Sequence, residues 1–249
     1  MTNTLLIARK ELRTYFGSPI AYVIMAAFLA FTGLLFIDSL STPFREASLR
    51  GFFVGESFGG LLGQTINAAF VLLLLGPVLT MRLLAEESKL GTIELLLTAP
   101  VRDFEVVMGK FLAGLAILSM LLVMTLYYPL LLLVFGNPDV GPMIAGYAGI
   151  FLLGGLFLAV GLFASSLSTS QIASVVIGLI ILLMFWFINQ ASNFFRGTPE
   201  FVFEFVSPRT HFTNFARGIV DTQSIIYYIA LTAIFLFFTV RSLETRRWR

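Results

Sequence analysis

The chain contains no cysteine and one histidine among its 249 residues. It therefore cannot form a disulfide framework, a thiolate metal site, an iron–sulfur cluster or a cysteine nucleophile. Charged side chains make up only 12% of the sequence, whereas soluble domains have about 25%. The formal net charge of +2 argues against a nucleic-acid-binding protein, because such a protein gathers its basic residues in a patch.

Apolar side chains are abundant instead, at 58% of residues with a mean hydropathy of +0.93. A helix crosses a hydrocarbon layer about 30 Å thick with about 20 apolar residues. Stretches without Asp, Glu, Lys or Arg number five, and the one from Val140 to Phe195 is long enough for two helices divided by a polar turn from Ser165 to Gln171. The sequence predicts an all-α integral membrane protein with six spans, near 18–37, 62–84, 106–135, 142–164, 171–190 and 223–242.

Basic residues are distributed unequally between the two sides of these spans. Basic side chains in short flanking loops are retained in the cytoplasm. With the N-terminus inside, eleven Lys and Arg lie in cytoplasmic segments and five lie outside, namely Arg45, Arg50, Arg196, Arg209 and Arg217. We therefore expect a multi-pass protein with both termini in the cytoplasm.

Two segments outside the spans are expected to lie in the membrane interface. Residues 1–17 have one apolar side when they are placed on a helix. An arc of about 100° holds Leu5, Ala8, Leu12, Tyr15 and Phe16, which predicts a helix that lies in the membrane interface. The alternative is a short basic tail. Residues 191–222 alternate aromatic and polar side chains, which predicts short amphipathic outer helices. We expect His211, in this segment, to be an ordinary interfacial polar residue.

The spans as drawn carry no charge in their central parts, although charges at that depth are kept for function in ion-driven carriers and intramembrane proteases. The sequence also has no Gly-x-x-x-x-Gly-Lys-[Ser/Thr] phosphate-binding loop, so we do not expect an ATPase site in this chain. Pro77 and Pro129 are expected to bend or loosen their helices. The pairs Ala145 with Gly149 and Gly155 with Ala159 predict close helix packing.

The longest cytoplasmic loop, residues 85–105, is the most informative segment and is called the coupling loop below. Thr92 can cap a short helix from Glu94 to Thr98, Pro100 ends it, and Asp103 can cap the next helix. The alternative is an ordinary polar loop with a basic rim. We interpret the loop as a docking surface for a soluble partner, with contacts from Glu86, Glu87, Lys89, Gly91, Thr92, Glu94, Leu95, Leu96, Pro100 and Arg102.

The coupling loop and its flanks resemble the signature of type-2 ABC transporter permeases, in the branch of the gliding-motility permeases. The resemblance covers nearly the whole chain, and the loop motif is its most specific part. The matching stretches are Lys10-Glu11, Phe16 to Tyr22, Pro77 to Arg82, Ala85 to Val101, Gly109-Lys110, Gly161 to Gln171 and His211 to Asp221.

The resemblance implies a permease subunit in the bacterial inner membrane, without its own ATPase site and binding no cofactor. Two separate ATPase subunits, which bind ATP and Mg²⁺, would dock on the coupling loop of a pair of permeases, identical or different. Residues 1–17 would form the elbow helix. An auxiliary extracytoplasmic subunit is compatible with the family, nucleic acid is not a partner, and most members of the family are exporters.

Polar groups at the outer span ends, Tyr127, Tyr128 and Asn189, are our candidates for the substrate path. The cargo stays open, since lipid, polysaccharide, peptide and drug all suit an apolar bundle. Other interpretations are an ATP-independent secondary carrier, a membrane scaffold of a motility or envelope assembly, and an intramembrane enzyme, for which no catalytic constellation is seen.

Overall fold

The computed structural model describes residues 2–40, 48–54, 67–89, 101–191 and 203–247. Within these ranges the regular structure is helical, and six segments are long and apolar enough to cross a membrane, which confirms the predicted all-α architecture. A further helical turn covers 203–206. The helices are α1 (Thr2–Phe16), α2 (Pro19–Leu40), α3 (Arg50–Val54), α4 (Ala68–Lys89), α5 (Asp103–Thr125), α6 (Tyr127–Phe135), α7 (Val140–Leu167), α8 (Gln171–Ala191), α9 (Pro208–Ala216) and α10 (Thr222–Arg247).

The spans alternate in direction, which gives the bundle two distinct ends. We call the end where α1 lies the near end; it also holds the C-terminal ends of α4, α7 and α10, as the Lys110–Glu87 and Ser242–Ser166 contacts show. The opposite, far end holds α3 and α9, where the rings of Phe53 and Phe212 lie 6.2 Å apart.

The α7 helix is the centre of the bundle. Of its most apolar window, 78% is buried inside the protein, against 22% for α8. Glycines on α7 let neighbouring helices pack closely, as predicted, although only some of them are the glycines that the sequence analysis named. A Cβ on Gly149 would lie 2.5 Å from Phe215 Cβ and one on Gly161 would lie 2.1 Å from Thr80 Oγ1, whereas one on Gly155 would make an ordinary 3.5 Å contact.

Several helices begin or end away from the predicted positions. The first and last spans continue to Leu40 and Arg247, because the predicted spans stopped close to the first charged residue whereas a helix continues into the interface. The second begins at Ala68, since the Asn67 side chain accepts a hydrogen bond from the Phe70 N–H at 2.8 Å and so caps the helix. The predicted residues 62–66 lie outside the described residues.

The third span is two helices, α5 and α6, interrupted at Leu126. Pro129 has no N–H, so the carbonyl four residues earlier, on Thr125, lacks its helical donor. The Tyr147 hydroxyl from α7 donates to this carbonyl at 2.9 Å instead. The proline effect expected from sequence is therefore realised at Pro129, whereas α4 is assigned as one continuous helix through Pro77.

The turns on either side of α7 are shorter than predicted. Ser165 and Ser166 are helical and the turn occupies residues 168–170. The Ser165 hydroxyl is committed to α4, where it accepts from the Ala85 N–H at 2.9 Å and donates to the Met81 carbonyl at 3.1 Å. At the far end, Asp139 caps α7 through the Gly141 N–H at 3.1 Å, so the helix begins at Val140, two residues before the predicted start of the span at 142.

Candidate functional site

The N-terminal helix α1 packs directly on the start of α5, at the end of the coupling loop. A Cβ on Gly109 would lie 2.8 Å from Ile7 Cβ and 2.9 Å from the Thr4 carbonyl oxygen, so glycine is what lets the two backbones approach. The buried face of α1 includes Ala8 and Glu11, while Leu5 is 64% exposed. The predicted apolar arc is therefore only partly the protein-facing side.

A buried ammonium group joins three elements at the near end. Lys110 Nζ, on α5, donates to Glu11 Oε1 of α1 at 2.9 Å and to the Leu83 carbonyl of α4, and it lies 2.9 Å from Glu87 Oε2. Its side chain is 1% exposed. We call Lys110, Glu11, Glu87 and the Leu83 carbonyl the Lys110 cluster.

The charges of the Lys110 cluster depend on one another. A buried ionised group is costly to desolvate and is tolerated when opposite charges and hydrogen bonds surround it. Two carboxylates face the single Lys110 ammonium, and Lys10 adds a second positive charge 4.0 Å from Glu87 Oε1. Removing one member would leave the others uncompensated, so the cluster holds α1, α4 and α5 together as a unit.

Arg82 makes a second connection from α4 to the N-terminal segment. Its guanidinium donates to Glu86 Oε2 at 2.9 Å and to the Ser18 hydroxyl, in the turn between α1 and α2, at 3.2 Å. Nearby, burial and the negative charge of Glu11 raise the pKa of the Tyr15 phenol well above its usual value, so this group stays neutral. The turn before the first span is thereby tied to the helix that leads into the coupling loop.

Four of the predicted docking residues lie in the described part of the chain. Glu86 and Glu87 hold Arg82 and Lys110, so both carboxylates act within the bundle. Lys89 and Arg102 are exposed on the two sides of the coupling loop. The predicted short helix and the other six candidates, Gly91, Thr92, Glu94, Leu95, Leu96 and Pro100, lie outside the described residues.

The start of α5 differs from the prediction that Asp103 caps it. Asp103 is the first helical residue, and Arg102 occupies the capping position with an extended backbone. The Glu105 carboxylate accepts the Arg102 N–H at 3.1 Å. The carboxylate of Glu105, in the first turn of α5, therefore accepts the otherwise free N–H of Arg102. Asp103 cannot be the capping residue, because it stands one position too late in the chain.

The three candidate path residues occupy different environments. Tyr128 is buried, its hydroxyl lies 3.1 Å from Thr32 Oγ1 and donates to the Leu29 carbonyl, and its ring stacks on Phe36. Tyr127, next to it, is 61% exposed. Asn189 is half-buried near the end of α8. Tyr128 thus joins the broken third span to α2, and the contribution of the three residues to a path stays a prediction.

His211 is a buried connection between α9 and α10 rather than an exposed interfacial side chain. Its Nε2 donates to the Phe205 carbonyl at 3.0 Å, since a carbonyl can only accept, and its Nδ1 lies 3.0 Å from Ser224 Oγ. The ring stacks on Tyr227 with centroids 4.2 Å apart. These contacts make His211 part of the packing of the far end.

The Lys110 cluster and the role of Ser165 were not predicted from the sequence. One signal was present: Glu11 lies beside Ala8, Leu12 and Tyr15 on the helix, and a carboxylate next to an apolar arc needs a buried partner. The identity of that partner could not be read from the sequence, because Lys110 is 99 residues away.

The six spans and the Lys110 cluster define a multi-pass membrane protein. In it, the N-terminal helix contacts the two helices that flank the coupling loop. Over residues 5–248 the chain matches the family model described as ABC-2 family transporter protein, and it therefore belongs to this family. Members of this family are transmembrane permease subunits and not the ATPase, and they work with ABC ATPase subunits. A comparison with curated proteins returns no match.

Proposed function

We propose that this chain is the permease subunit of an ATP-driven exporter and that separate ATPase subunits dock on the coupling loop. The observation that carries the proposal is the position of the Lys110 cluster. Glu87 lies at the start of the coupling loop and Lys110 lies just after its end, and the two side chains are 2.9 Å apart, with Glu11 of the elbow helix as the third member. Displacing the loop would therefore move α1, α4 and α5 together.

The same displacement would reach the centre of the bundle through α4. Ser165 of α7 is bonded to the backbone of α4 at Met81 and Ala85, close to the Lys110 cluster. A force that reaches Glu87 would thus act on the most buried helix through the packed contact of α4 with α7. This is the kind of discrete, packed connection that carries coupling between sites.

The remaining features of the proposal follow the family resemblance and the charge distribution. Two ATPase subunits would bind ATP and Mg²⁺, and a second permease, identical or different, would complete a two-fold assembly. The excess of basic residues at the near end favours a cytoplasmic position for both termini in a bacterial inner membrane. Export, the gliding-type branch and an auxiliary extracytoplasmic subunit belong to the proposal on the resemblance alone.

Copurification of the tagged chain from its native host, with mass spectrometry of the partners, tests the proposal. We expect an ATPase with a phosphate-binding loop to copurify, and Glu94→Arg to reduce its recovery by roughly tenfold, a charge reversal at a docking surface being worth about 1–2 kcal/mol. Glu204→Arg is the matched control, because Glu204 is exposed at the far end. Undiminished recovery with Glu94→Arg would contradict docking on the loop.

A second outcome bears on the whole assignment. If the folded wild-type chain brings down no ATPase, the permease proposal is wrong and an ATP-independent carrier or a membrane scaffold becomes the better interpretation. Circular dichroism and a monodisperse elution profile would establish that the sample is folded.

A further inference from the structure

An open cleft of about 630 Å³ separates the last turns of α7 and α10 at the near end. Its apolar lining residues are Phe163, Leu167 and Phe238, and the two phenylalanine rings lie 5.9 Å apart. Its polar lining residues are Ser166, Arg241, Ser242 and Thr245. The cleft therefore offers both apolar surface and a guanidinium group within two turns of α10.

The position of this cleft across the membrane follows from its distance along α10. Counted from Thr222, Arg241 lies about 28 Å along the helix axis at 1.5 Å per residue. This distance nearly equals the hydrocarbon thickness of about 30 Å. With Thr222 placed at the far boundary of the hydrocarbon, Phe238 lies inside it and Arg241 lies at the level of the phospholipid phosphates of the near-end leaflet.

The sequence from Arg241 onward is strongly basic. After Asp221 the sequence has one acidic residue, Glu244, and four arginines, Arg241, Arg246, Arg247 and Arg249. Clusters of basic residues directly beyond a membrane span attract anionic lipids. Glu244 pairs with Arg241 Nη1 at 2.7 Å, but both side chains are exposed, so the pair is weak and leaves other guanidinium donors available.

We propose that this cleft binds an anionic glycerophospholipid of the near-end leaflet. The phosphate contacts the Arg241 guanidinium, and an acyl chain lies along Phe163, Leu167 and Phe238. Zwitterionic lipids such as phosphatidylcholine fit the same apolar side chains, but their choline cation cancels the net negative charge that Arg241 attracts, so the site selects by headgroup. The proposal is independent of the docking function of the coupling loop.

Native mass spectrometry of the purified chain, titrated with phosphatidylglycerol or with phosphatidylcholine of the same acyl chains, tests this site. We expect the wild type to retain phosphatidylglycerol preferentially and Arg241→Gln to weaken that binding by about fivefold, the effect of one basic residue at an anionic surface. Arg13→Gln, an exposed arginine on α1 at the same end, is the control and should leave the preference unchanged.

Two further variants test the charge beside the cleft and the space inside it separately. Glu244→Gln should keep or strengthen phosphatidylglycerol binding, because it removes the competing carboxylate. Thr245→Trp, at an exposed position, should fill the cleft and lower phosphatidylglycerol retention while the chain stays folded. Retained binding in both Arg241→Gln and Thr245→Trp would overturn the proposal.

Two results would reject the lipid site even if Arg241→Gln weakens binding. An equal loss with Arg13→Gln would show a general surface-charge effect. Competition by free glycerol 3-phosphate at matched concentration would show a soluble phosphate site in place of a lipid site. Failure of glycerol 3-phosphate to compete, together with the loss in Arg241→Gln, supports the lipid site.

Discussion

Lys110 is the side chain whose surroundings differ most from those of an ordinary residue of its type. Lysine is seldom fully buried, yet Lys110 is enclosed by α1, α4 and α5 and contacts two carboxylates. An ion cluster of this kind contributes little net stability compared with apolar packing, but it is sensitive to the loss of one member. Its value is that it fixes which three elements meet and in which register.

We predict that Lys110→Met lowers the free energy of unfolding by about 3–5 kcal/mol, because Glu11 loses its buried positive partner and Glu87 keeps only the exposed ammonium of Lys10. Chemical denaturation in detergent, followed by circular dichroism, measures the change. The triple variant Lys110→Met/Glu11→Gln/Glu87→Gln should regain most of the loss, since no charge is left unpaired. Lys89→Met, at an exposed lysine, should have little effect; a similar small effect in Lys110→Met would contradict the cluster.

At the scale of the element, the third span shows how a helix interruption is accommodated inside a membrane. Within the hydrocarbon a free carbonyl has no water to bond, so it needs a protein donor. Tyr147 supplies that donor to Thr125 from the neighbouring α7. The break at Leu126 is therefore stabilised by a side chain on another helix.

We expect Tyr147→Phe to cost about 1–3 kcal/mol, the penalty of an unsatisfied buried carbonyl. Combining it with Pro129→Ala restores an N–H at residue 129 that can bond Thr125, so the loss due to Tyr147→Phe should become smaller in that background. A double-mutant cycle of unfolding free energies measures the coupling. Strict additivity would show that the hydroxyl does not replace the missing donor.

The packing of α4 on α7 gives a matched pair of glycine substitutions on one helix. Gly161→Ala should destabilise the chain by about 1–3 kcal/mol, since the new Cβ would lie 3.0 Å from Pro77 Cα as well as against Thr80. Gly155→Ala should be neutral or stabilising, because alanine favours a helix and its nearest neighbour would be 3.5 Å away. Thermal unfolding of the two variants side by side measures the difference, and equal effects would contradict the observed packing.

The helices themselves were predictable because their apolar runs exceed what a membrane requires, and five charge-free stretches, the longest divided by a polar turn, predicted the six spans correctly. Helix ends and turns were less predictable. Ser165 and Ser166 have the composition of a turn, yet the Ser165 hydroxyl finds backbone partners on α4, which only the tertiary structure provides. The same applies to the Lys110 cluster, whose members are far apart in sequence and whose individual residues look like ordinary loop charges.

At the scale of the whole molecule, the orientation in the membrane rests on the charge distribution and can be tested cleanly because the chain has no cysteine. We expect Arg217→Cys to react with a membrane-impermeant maleimide added to intact spheroplasts. Arg13→Cys, on the same background, should react only after permeabilisation. Both arginines are exposed, so poor access would not explain a difference. The reversed pattern would place both termini outside and contradict docking of a cytoplasmic ATPase.

The separation of 99 residues between Glu11 and Lys110 also has a consequence for biogenesis. At about 5–20 residues per second, the ribosome completes Lys110 about 5–20 s after Glu11. During that interval the ammonium that pairs with the Glu11 carboxylate has not yet been synthesised. The amino-terminal helix therefore makes its ion pair with Lys110 only after synthesis of the third span has begun, so this contact forms later than α1 itself.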